Sequence, residues 1–67
     1  MEILINKPFE VSIKKWPEFK LECIVIDNNN GTGIDKNKIK NLNTGNIFFV
    51  EDQWFDEELT GRNITYK

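Results

Sequence analysis

This 67-residue chain predicts a small all-β fold, a barrel of five or six short strands. Three observations carry that expectation. Apolar and polar residues alternate over "FEVSIKK" and "EFKLECIVID". Turns rich in Asn and Gly separate the apolar runs. No segment keeps a helical period for more than about one turn. The length suits one domain over residues 1–67, and a domain of about 60 residues buries only about 60 % of the surface its unfolded chain exposes. Five Phe, two Trp and one Tyr supply much of the area such a core needs.

The first apolar run, Ile3 to Ile5, is short and is followed by Pro8, whose missing N–H suits a strand boundary. In "FEVSIKK", Phe9, Val11 and Ile13 face one side while Glu10, Ser12 and Lys14 face the other. "KWP" then interrupts, because the residue before a proline favours extended backbone and places Trp16 in a turn or at a strand end. "EFKLECIVID" resumes with Phe19, Leu21, Cys23 and Val25 on one face. Ile24 and Ile26 on the other face predict a long strand that bends and is covered on both sides late.

"NNNGTG" is a turn, since Asn and Gly tolerate positive φ. "KIKNL" and "NIFFV" flank "NTG", the connection of a hairpin, which puts Ile47 and Phe49 on one face and Phe48 and Val50 on the other. Phe49 and Trp54 are expected in the core. "EDQWFDEEL" predicts a single helical turn near residues 52–58, with an α+β arrangement carrying a helix over residues 51–59 as the alternative. "NITYK" closes the chain as a strand with Ile64 and Tyr66 on one face.

The run "VIDNNNGTGIDKNKIKNLNTGNIFFV" resembles the central strands of SH3-like barrels of the Tudor and KOW kind, where a bent strand leads into a hairpin whose turn carries "TG". Small phage and prophage proteins with SH3-like folds are similar in size and composition. That resemblance implies a small regulator or inhibitor.

Chemistry is sparse. There is no His, and Cys23 is alone, so no intramolecular disulfide forms and zinc sites built from Cys and His are excluded. "DNNNGTGIDKNK" is similar to a calcium loop in the frame from Asn28, with Asn30, Thr32 and Gly33 at the third, fifth and sixth positions. Ile39 stands where the bidentate acid belongs, so the segment reads as a polar turn. No nucleophile motif or phosphate-binding loop is present, and the expectation is a non-enzymatic protein without cofactor or metal. The lone thiol suits a reducing, cytoplasmic setting. No apolar run approaches the roughly 18 residues of a membrane span, and "MEILINKPFE" lacks the plan of a signal peptide.

The net charge of −2 conceals a division. Glu51, Asp52, Asp56, Glu57 and Glu58 crowd one segment beside Phe48 and Phe55. Apolar anchors rimmed by acids are what a hot spot for a basic protein partner needs. Lys14, Lys15, Lys36, Lys38 and Lys40 with Trp16 form the alternative surface, suited to single-stranded nucleic acid through phosphate pairing and base stacking. Free strand edges and spare aromatics also leave room for a homodimer.

Overall fold

The computed structural model describes residues 2–67. Five strands, β1 (Pro8–Ile13), β2 (Trp16–Asp27), β3 (Asn37–Asn41), β4 (Ile47–Val50) and β5 (Arg62–Tyr66), form one antiparallel sheet in the order β4-β3-β2-β1-β5. Between β4 and β5 lie a 3-10 turn, Asp52–Phe55, and a one-turn helix α1, Glu57–Thr60. The fold is therefore all-β, as the alternation predicts, and not α+β. The segment Ile3 to Ile5 forms no strand, although Ile3 packs on the core and Asn6 N donates to Val25 O at 2.7 Å.

Barrel closure is the point on which the expectation is corrected. β4 and β5 lie at opposite edges, and the sheet stays open. The segment between them fills the gap instead. The Trp54 ring lies 6.0 Å from Phe48 of β4 and 6.4 Å from Phe9 of β1, and the Phe55 ring lies 5.8 Å from Phe9. Aromatic side chains thus cover the inner face where a closed barrel would have hydrogen bonds between strands.

The core follows from the period of two. Phe9, Val11, Cys23, Val25, Ile39, Val50 and Phe55 are buried, with Leu21, Phe48, Trp54, Ile64 and Tyr66 packed against them. β2 spans twelve residues, and its register with β3 shifts between Val25 and Asp27. Ile24 precedes that shift and Ile26 lies within it, and both are half-buried. In the β3–β4 turn, Gly45 takes φ +80° and its N–H reaches Asn41 O at 2.8 Å, so a residue with a Cβ would be strained there.

Phe49 departs from expectation. Ile39 is buried and pairs with Phe48, so Phe48 faces the core; Phe49, beside Lys38, points to the outer face and is 57 % exposed. Trp54 packs against the core but keeps part of its surface open.

Candidate functional site

In the acidic-aromatic segment, the geometry of the 3-10 turn decides which side chains are available. Residues three apart eclipse in such a turn. Asp52 and Phe55 therefore share the side that faces the sheet. Phe55 enters the core at 3 % exposure and offers no surface to a partner. Phe48 is half-buried under Trp54, so it too serves the interior rather than standing out as an anchor.

Two of the five acids hold the protein's own backbone and side chains. Asp52 Oδ1 accepts from Asn37 Nδ2 at 2.8 Å, and Asp52 Oδ2 pairs with Lys36 Nζ at 2.9 Å. The Asn37 hydrogen bond, and then that of Lys36, keeps the Asp52 carboxyl below its ordinary range. Asp56 caps α1, its Oδ1 accepting from Glu58 N at 3.0 Å and Leu59 N at 3.3 Å. Gly61 ends the helix in the left-handed region at φ +73°.

Four of the acids nevertheless border one groove. Asp52, Asp56, Glu57 and Glu58 line it together with Gln53 and Asn63; Ile3 and Ile64 supply apolar wall, and the buried Phe55 lies beneath. Glu57 and Glu58 are exposed and, among the described residues, make no side-chain ion pair. Glu51 lies on the other side of the segment, in a shallow cleft with Asp35, Trp54, Leu59 and Arg62, where the Arg62 guanidinium sits 4.8 Å from the Trp54 ring centroid.

The lysines do not converge. Lys14 and Lys15 form the tight turn between β1 and β2, next to Trp16, which is 56 % exposed and packs against Phe19 at 5.3 Å. Lys38 and Lys40 lie on β3 opposite Phe49 and Ile47, and Lys40 also pairs with Ile24. From Trp16 to Ile24 is a path of roughly 26 Å along β2. Lys36, already paired with Asp52, faces a different group from either cluster.

Asn37 is the residue that sequence reasoning missed. It is 1 % exposed in the middle of an apolar face, and its amide donates to Val50 O at 3.3 Å as well as to Asp52. Its place in "KNKIK", in step with Ile39, was the available signal. The loop that is similar to a calcium site is occupied by its own turn bonds: Asn29 N donates to Asp27 Oδ1 at 3.1 Å, and Asn29 Nδ2 donates to Thr32 O at 2.9 Å. Among the described residues no three His, Cys, Asp or Glu side chains gather to hold a metal ion, and no helix is long and apolar enough to cross a membrane. No protein-family model matches the chain, and no curated protein or solved structure matches it.

Proposed function

We propose that the chain is a non-enzymatic protein-interaction module that holds a basic segment of its partner in the groove bordered by Asp52, Asp56, Glu57 and Glu58. The observation that carries this reading is the groove itself, which combines clustered carboxylates with the apolar surface of Ile3 and Ile64. A lysine or arginine of the partner lays its aliphatic stem on that wall and its charge against Glu57 and Glu58. Asp52 and Asp56 are committed to internal partners, so they shape the groove and add to its negative field. Phe48, Glu51 and Phe55, although neighbours in sequence, are not contact residues in this reading.

The SH3-like resemblance is supported by the twelve-residue β2, its register shift, and a β3–β4 turn that carries Thr44-Gly45. A small phage-type regulator or inhibitor working in a reducing, cytoplasmic compartment is the role consistent with that resemblance and with the lone thiol. Nucleic-acid binding has weaker support, because its lysines are split between two ends of the sheet and Lys36 is paired.

The test is an amide NMR titration of labelled protein with a lysine- and arginine-rich peptide and, separately, a mixed-sequence single-stranded oligonucleotide at low salt. Peptide-induced shifts at Glu57, Glu58, Asn63 and Ile64 that disappear in the Glu57→Lys/Glu58→Lys variant support the groove. Oligonucleotide shifts at Lys38, Lys40 and Phe49, with none from the peptide, would replace this reading with the nucleic-acid one.

A further inference from the structure

We propose that the chain forms a twofold dimer by pairing the free edge of β4 with the β4 edge of a second copy, antiparallel and centred on Phe49. The argument starts from the backbone. Asn41 N donates to Asn46 O at 2.8 Å, and bonded and non-bonded pairs alternate along an antiparallel ladder. Asn46, Phe48 and Val50 therefore direct their backbone groups toward β3, whereas Ile47 and Phe49 direct theirs outward, where the described residues provide no strand. Glu51 follows in extended conformation, φ −81° and ψ 169°; its carbonyl accepts from Trp54 N at 3.1 Å, so its N–H is the group it adds to the outward-facing row.

Symmetry then restricts the register. A twofold axis perpendicular to the sheet keeps each face on its own side, so a residue can lie opposite only a residue of the same face. With Phe49 opposite itself, Ile47 meets Glu51 of the second copy and Phe48 meets Val50. The edge carries none of the usual protection, since Ile47, Phe48, Phe49 and Val50 include no charge, proline or bulge; its short length is the single restraint.

The outer face is complementary in charge as well as in shape. Lys40 flanks Ile47 on β3, so it stands two strands, about 10 Å between backbones, from Glu51 of the second copy. Extended lysine and glutamate side chains span that separation, and the symmetry repeats the pair. Lys38 Nζ lies 6.0 Å from the Phe49 centroid and covers the ring from the other flank. The apolar residues left open on this face, Phe49 and Ile47, are the ones brought together.

A four-residue edge buries less than the standard interface of about 800 Å² per partner, so association is weak and reversible. The acidic groove is built from the segment that follows β4, from Asp52 onward, together with Asn63 and Ile64 of β5, and includes neither Ile47 nor Phe49 of the pairing edge. The dimer thus carries two grooves, which raises avidity for a partner with repeated basic segments.

The experiment is sedimentation equilibrium of the full chain from micromolar to millimolar concentration, paired with amide hydrogen exchange at both extremes. The expected result is a monomer–dimer equilibrium with exchange at Ile47 and Phe49 slowing as concentration rises. Phe49→Lys weakens the dimer by about tenfold or more, because it places like charges opposite each other, while Trp16→Ala at the remote turn leaves it unchanged. A monomer at every concentration, dimerisation undiminished in Phe49→Lys, or exchange at Ile47 and Phe49 independent of concentration overturns the proposal. The exchange measurement on the unmodified chain decides even where the variant folds poorly.

Discussion

Replacing Asn37 with alanine tests the link between the core and the acidic segment. Asn37 Nδ2 makes two hydrogen bonds, at 3.3 Å to Val50 O and 2.8 Å to Asp52 Oδ1, from a position only 1 % exposed. A neutral hydrogen bond contributes roughly 0.5–1.5 kcal/mol net and one to a charged group about 1.5–3 kcal/mol. The second figure needs discounting, because the Asp52 side chain is 56 % exposed and water replaces part of what is lost. Adding a small void where the amide packed, Asn37→Ala costs about 2–3 kcal/mol. A domain of this size has a total stability of roughly 3–10 kcal/mol, so the loss is large. Urea unfolding followed by tryptophan fluorescence measures it, and a double-mutant cycle with Asp52→Ala isolates the pair, with a coupling of about 1 kcal/mol expected. A cost below about 0.5 kcal/mol, or strict additivity with Asp52→Ala, would refute the role given to this amide.

The remaining predictions concern charge, the thiol and the aromatics. The Asp52 carboxyl is held below its ordinary value of 3.8 in the folded state, so the stability it contributes is present above that value and is lost as pH falls through the lower folded value; urea midpoints measured down the acid limb should fall less in Asp52→Asn than in the parent. Burial pushes the Cys23 thiol up to about 11, so a disulfide reagent at neutral pH should label the native chain only as fast as it opens, and the urea-unfolded chain at once. Phe55→Ala should cost about 3–5 kcal/mol in urea unfolding, whereas Phe49→Ala should stay within about 0.5 kcal/mol; equal effects would contradict the opposite placement of the two rings.

The strands were legible wherever one face is buried and the other wet. Phe9 and Val11 on β1, and Cys23 and Val25 on β2, alternate with polar or half-covered neighbours, and a one-residue slip would expose them. The β3–β4 hairpin was legible from Gly45. "NIFFV" was not, because four apolar residues in a row carry no alternation. Its faces were assigned correctly as pairs, but which pair turns inward depends on the Phe48–Ile39 register.

The same distinction runs through the candidate site. The cluster of five acids is visible in the sequence, yet their division into structural and available groups is not. Asp52 is spoken for by Asn37, fifteen residues away, and Asp56 by the backbone of α1. Phe55 looks like a surface anchor among acids and is core, because the 3-10 turn aims it at Phe9.

By itself, then, the sequence determined the all-β class, the turns and the residues that alternate into a core, since these rest on local backbone preference and a period of two. The tertiary structure alone decided that the sheet stays open, that residues 52–60 cover its inner face, and that four acids meet beside Ile3 and Ile64. Those outcomes depend on contacts between residues far apart in the chain, which no local pattern encodes.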